Sequence, residues 1–344
     1  MSKIFFILTL VFAFAFSSVD AQSDSHFRVL KTFHIASGGK WDYIAAGPGN
    51  NRLYVSHGTQ VNILNEATGD SVGIIENTKG IHGIAFDKEN NKGFTSNGKL
   101  NTVSVFDLTT NEVLTQIATG DDPDAIFYEP YSKKIITCNG HSNDLSIIDP
   151  LKNKVVATVT LEGNPETAVS NDAGKLYVNI ENKNEIAVVN TTTFLVEAYW
   201  KLASGEGPAG LAIDKNTNRL FSGCSETKQL FILDASNGKL IDTLPIGEHC
   251  DGVIFDNSTK YIFASNGGGT LTVIHENSAN DFKVIENVVT KKGARTSTVD
   301  ESTHLVYLPT ADFKEVLSTD NTIAKAKPQM IPGTFEILVV GRSL

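Results

Sequence analysis

The chain has 344 residues, a formal net charge of −10 and three cysteines, Cys138, Cys224 and Cys250. The acidic balance argues against a nucleic-acid partner, which demands a basic footprint, and no basic amphipathic stretch offers a hold on an anionic membrane. An odd cysteine count argues against a disulfide framework as the source of stability, so the three read as small apolar fillers, with a Cys224–Cys250 bridge as the one conceivable pairing.

At the N-terminus, Lys3 precedes an apolar run over residues 4–16, and Ser17-Ser18-Val19-Asp20-Ala21 follows with small residues suited to cleavage after Ala21. This reads as a secretory signal peptide over residues 1–21, with an apolar run too short to span a bilayer comfortably. The expectation is an exported protein, periplasmic or extracellular, in which residues 22–344 form one domain. No second long apolar segment follows, so membrane insertion is not expected, and a monomer is.

Residues 27–35 read as a strand, and from Trp41 onward the chain repeats about every 42 residues. Asp42-Tyr43-Ile44, His82-Gly83-Ile84, Asp124-Ala125-Ile126, Glu166-Thr167-Ala168, Ala209-Gly210-Leu211, Asp251-Gly252-Val253 and Arg295-Thr296-Ser297 align at intervals of 40, 42, 42, 43, 42 and 44 residues. Periods of roughly 40–45 residues built from short strands predict a β-propeller, one four-stranded blade per repeat. In the second repeat Ile84-Ala85-Phe86 is an apolar inner strand, and Lys92-Gly93-Phe94-Thr95-Ser96 is the second strand. Thr102-Val103-Ser104-Val105-Phe106 alternates as a half-buried third strand, and Val113-Leu114-Thr115-Gln116-Ile117 is the outer strand. Asp107 and Asn111 suit the turn between the last two, by Asx bonding and positive φ respectively.

The last repeat supplies inner, second and third strands and then the chain ends without an outer strand. The strand over residues 27–35 fills that place, removing the exposed edges of an open array. The predicted fold is all-β: seven four-stranded antiparallel blades, closed by the N-terminal strand. The stretch 311–331 breaks the repeat, and a loop of that length is often functional.

The segments Leu53-Tyr54-Val55-Ser56, Asn101-Thr102-Val103-Ser104-Val105-Phe106-Asp107 and Val155-Val156-Ala157-Thr158-Val159 resemble the repeat of seven-bladed propellers built from YVTN motifs, a family that includes exported YncE-like proteins. The terminal Pro332-Gly333-Thr334-Phe335-Glu336-Ile337-Leu338-Val339-Val340 resembles that family's closing strand. The resemblance covers essentially the whole mature chain and implies the fold; it implies no shared reaction.

Blade connectivity places outer-to-inner and second-to-third links on one face, so the first residues of the aligned triplets form a ring around a channel mouth. Asp42, His82, Asp124, Glu166, Ala209, Asp251 and Arg295 make a polar ring with excess negative charge. Trp41 and the loop histidines His57, His141 and His249 belong to the same face. Two readings stand: a site for a small polar or cationic ligand, glycan or protein partner, or a hydrated mouth whose charges satisfy one another. If a divalent cation binds, Asp42, Asp124, Glu166 and Asp251 favour Ca²⁺ or Mg²⁺, and His82 or His249 favours a transition metal. No nucleophile elbow, zinc-protease helix, P-loop or dinucleotide glycine pattern is present. The leading expectation is therefore a non-catalytic binding propeller. The alternative is a metal-dependent, lactonase-like hydrolase, by likeness to propellers that surround a central ion with acidic ligands, with His82 as general acid or base.

Overall fold

A computed structural model describes residues 26–314 and 329–343. The expected signal peptide and the middle of the 311–331 stretch lie outside these residues. The chain folds into seven four-stranded antiparallel sheets. Blade one comprises Ile44–Ala46, Arg52–His57, Gln60–Asn65 and Ser71–Ile75, and blade two Ile81–Asp87, Lys92–Asn97, Thr102–Asp107 and Val113–Ala118. Blades three to six repeat the order, with inner strands Pro123–Glu129, Pro165–Ser170, Pro208–Asp214 and Cys250–Asp256. Among the described residues no helix is long and apolar enough to cross a membrane.

The third strand over residues 102–106, expected to be half-buried from its alternation, is buried on both faces: Val103, Ser104, Val105 and Phe106 are fully covered. Second and third strands are sandwiched between neighbouring blades, and Leu53, Tyr54, Val55, Val61 and Ile63 are likewise fully buried. One cluster joins Tyr54 and Ile63 of blade one to Ile84 and Phe106 of blade two, and the other clusters likewise span neighbouring blades. Each fully buried Leu, Ile or Phe contributes roughly 1.5–3 kcal/mol. Cys138, Cys224 and Cys250 are part of this packing, buried and free.

The ring closes as the sequence predicts. Thr298–Asp300, Leu305–Thr310 and Glu336–Arg342 form three strands of blade seven, and Phe27–His34 adds the fourth, pairing antiparallel with Glu336–Arg342. Phe27 then packs edge-on against Tyr261 and Phe263 of blade six. The base of the 311–331 stretch is a short ladder, Phe313–Lys314 against Gln329–Met330.

One backbone bond recurs in six blades. Gly58, Gly98, Gly140, Glu181, Ser225 and Gly267 donate their amides to the carbonyls of Lys40, Gly80, Asp122, Asn164, Gly207 and His249. Every bond ties a second-to-third link to the preceding outer-to-inner link, which fixes both sets of loops on one face.

Candidate functional site

The ring residues reach the channel through a repeated defect in the inner strands. In blades two to six the register slips where each aligned triplet begins: between Ile81 and Ile84, Pro123 and Ile126, Pro165 and Ala168, Pro208 and Leu211, and Cys250 and Gly252. Each slip is a β-bulge, and bulges re-aim side chains beside functional sites. The freed backbone groups find hydroxyl partners on the second strand. Ser56 Oγ accepts from Asp42 N and Ser96 Oγ from Gly83 N, both at 2.8 Å. Ser265 Oγ donates to the Gly252 and Arg295 carbonyls, and Thr296 Oγ1 donates to Asp42 O at 2.6 Å, joining blade seven to blade one.

The structure brings five of the predicted residues into one chain of contacts. Asp251 Oδ2 lies 3.1 Å from Arg295 Nε, and Arg295 Nη2 lies 3.2 Å from Asp42 Oδ1. The other Asp42 oxygen accepts from His82 Nδ1 at 2.6 Å, and that nitrogen is 3.6 Å from Asp124 Oδ1. Asp124 Oδ1 is itself buried and has no hydrogen-bond partner among the described residues. Glu166 shares the ring's field, and Ala209 leaves a gap in its charge.

Too few cations stand here for the carboxyls present. Burial pushes Asp124 well above the usual carboxylate range, and the charges of Asp42 and Asp251 push it further, against the pull of Arg295. Glu166 is raised in the same way by burial, then by Asp124 and Asp251. Asp251 is pushed up to about 6 by burial, with the adjacent Arg295 working the other way. For His82, burial works downward but is outweighed by its bond to Asp42 and the charges of Asp42 and Asp122, so it holds a proton more tightly than usual.

Two further residues join the site. Asp122, in the loop before blade three, lies 3.9 Å from His82 Nε2 and 3.3 Å from His141 Nε2. Tyr43 follows Asp42 and packs against the core cluster of blades three and four, reaching across the channel beneath the ring. Its hydroxyl is held well above its usual value by burial and then by Asp124 and Glu166. A signal for Tyr43 was present in the alignment: the same position elsewhere holds Gly83, Ala125, Thr167, Gly210, Gly252 and Thr296.

Trp41 and His249 stand apart from the carboxylate chain. The Trp41 ring packs 5.2 Å from Phe335 and 5.9 Å from Phe313, in the seam where blades seven and one meet. His249 lines a separate cavity of about 440 Å³ with Lys292, Phe313 and Lys314. His57 is buried, stacked 4.0 Å from Phe335 and bonded to Ser37.

The Asp42, His82 and Asp124 ligand atoms all lie within 4.8 Å of one another. Two carboxylates and an imidazole form a donor set suited to a divalent transition metal. Arg295, on the second oxygen of Asp42, would orient that ligand from outside. The same carboxyls equally suit an organic cation. A family model for the YNCE-like beta-propeller matches residues 83–308, about two thirds of the chain. No curated protein matches the sequence.

Proposed function

The chain belongs to the YncE-like β-propeller family, and on that premise we propose that it is an exported, non-catalytic protein that binds a small positively charged ligand at the acidic channel mouth. One observation carries the reading: Asp124 Oδ1 is buried and has no hydrogen-bond partner among the described residues, in a ring where like charges already crowd. An unsatisfied buried acceptor costs about 1–3 kcal/mol, more when charged. A cation at the mouth supplies the missing partner and relieves the repulsion. The test is calorimetric titration with methylammonium and guanidinium. Asp124→Asn should weaken binding at least tenfold; equal affinities in the two proteins would overturn the reading. Because the cation competes with protons on the ring, affinity should rise as pH climbs through about 6, where Asp251 ionises.

A second reading is favoured by the mutual proximity of Asp42, His82 and Asp124: a divalent metal sits there, and the hydrolase alternative rests on it. Elemental analysis of protein purified without chelator separates the two. Stoichiometric metal, lost in His82→Ala, favours the second; its absence, with ammonium binding intact, favours the first.

A further inference from the structure

The closing blade differs from its neighbours in having no hairpin turn between its third and outer strands. Those strands come from opposite ends of the chain, and Arg342 and Phe27 stand opposite one another in the ladder where a turn would be. Elsewhere that turn serves the preceding blade. In blades one, two and five the second strand opens on a base that crosses the seam to the next blade's turn. Arg52 Nη1 donates to Leu108 O and Asn111 Oδ1, both at 3.3 Å. Lys92 Nζ donates to Pro150 O at 2.6 Å and Asn153 Oδ1 at 2.9 Å. Arg219 Nε donates to Ala279 O at 2.6 Å and its Nη2 to Asn280 Oδ1 at 3.1 Å. Blade six faces the missing turn, and its second strand, Tyr261–Asn266, opens on a tyrosine instead.

A cavity of about 390 Å³ opens at this seam, on the face opposite the channel mouth. Phe27, Tyr261, Phe263 and Leu305 are its apolar walls, and Arg342 lines it beside them. Phe27 and Phe263 are buried, whereas Tyr261 and Leu305 remain partly open. The Arg342 guanidinium lies 5.7 Å from the centre of the Phe27 ring and 5.5 Å from that of Tyr261. Among the described residues it forms no ion pair. The acids of this seam are already committed. Asp256 holds His304 Nδ1 at 2.7 Å and the Ser258 amide at 3.0 Å, and Glu286 accepts from the Phe27 amide at 2.8 Å.

A guanidinium laid on aromatic rings keeps its N–H edge for a planar, two-oxygen acceptor. Apolar walls beside that edge favour an acceptor that carries a hydrocarbon body. We propose that this cavity binds a small monocarboxylate, its two oxygens held by Arg342 and its apolar body against Tyr261 and Leu305. The closure of the ring thereby makes a site that no hairpin-joined blade can offer, because a turn would consume the base and fill the space.

The experiment is calorimetric titration of the full chain with benzoate, with benzyl alcohol, which lacks the charge, and with acetate, which lacks the body. Benzoate should bind about tenfold or more tightly than either. Arg342→Gln should weaken benzoate about tenfold and leave benzyl alcohol unchanged; Arg342 is exposed, so the substitution spares the core. Equal affinities for benzoate and benzyl alcohol, or for benzoate and acetate, would overturn the proposal. Undiminished benzoate binding in Arg342→Gln would do the same, as would failure of all three probes to bind. Should the variant fail to fold, the wild-type series decides alone. None of these outcomes touches the cation reading of the mouth.

Discussion

The inner strand of blade six carries an aspartate at each end, and the two behave in opposite ways. Asp251, at the mouth, is pushed up to about 6 by burial, and its one ionic partner among the described residues is Arg295. Asp256, at the turn on the opposite face, is also worked upward by burial, yet donors from Thr259, His304 and Ser258 outweigh it and hold the carboxyl below its usual value. The same balance holds Asp149, Asp214 and Asp300 low at other turns. Donor supply, not depth, separates the two ends. Turn carboxylates are consumed by the fold, and mouth carboxyls are left for something else.

The largest expected effect lies at the turn. Asp256→Ala strips the partner of His304 at 2.7 Å and the acceptor of the Ser258 amide, and should cost about 3 kcal/mol. Denaturant unfolding would register it, and a loss well under 1 kcal/mol would break the comparison.

Glu66 sharpens the contrast, because it lies on the turn face but has only the Tyr307 hydroxyl to set against burial and the charge of Asp300 among the described residues. Burial, then the charge of Asp300, raise it to about 7, and its Oε1 has no hydrogen-bond partner among the described residues. A carboxyl that binds its proton more tightly folded than unfolded adds stability at low pH, which is lost as pH rises from about 4.5 to about 7. Glu66→Gln should flatten that decline and raise stability at pH 8 by about 1–2 kcal/mol. Parallel pH profiles for variant and parent would contradict the placement.

Asp124→Asn at the mouth should stabilise the unliganded protein at pH 8 by about 1 kcal/mol, since its folded proton affinity is likewise raised. Melting curves with and without methylammonium would show stability gained and ligand response lost together. A destabilised variant would mean that Asp124 serves the fold after all. The smallest effect belongs to Asp107, whose Oδ1 accepts from the Thr109 and Thr110 amides on an exposed turn. Asp107→Ala should leave the melting temperature nearly unchanged, because water replaces the lost acceptor on an exposed turn, and a drop comparable to that of Asp256→Ala would show that the burial of Asp256 does not set the size of its effect.

The architecture was legible in the sequence because each blade repeats local signals: apolar strands, Asx turns and left-handed asparagines such as Asn91 and Asn111. The ring was legible as a register, since Asp42, His82, Asp124, Glu166, Asp251 and Arg295 share one aligned position. Its wiring was not. A bulge arises from pairing between strands, and His82-Gly83 looks like any other dipeptide until Ser96 stands opposite. The Arg295–Asp42 contact spans 253 residues and exists only because the ring closes. Asp122 lies two residues before the aligned position, in a loop whose course no periodicity describes.

The closing blade sets a clock on biosynthesis. Ser343 donates its amide to His26 O at 3.0 Å, although 317 residues separate the two. At ribosomal rates of ~5–20 residues per second, that interval takes on the order of half a minute. Through all of it the first strand lacks its ladder partner, and Phe27 lacks the blade-six and blade-seven surfaces that later bury it. Six blades can assemble in the order of their birth, but the seventh cannot form until the final strand arrives. The nascent protein therefore carries an unpaired strand from the beginning, with Arg28 and Lys31 along it as the charges that discourage pairing with another chain.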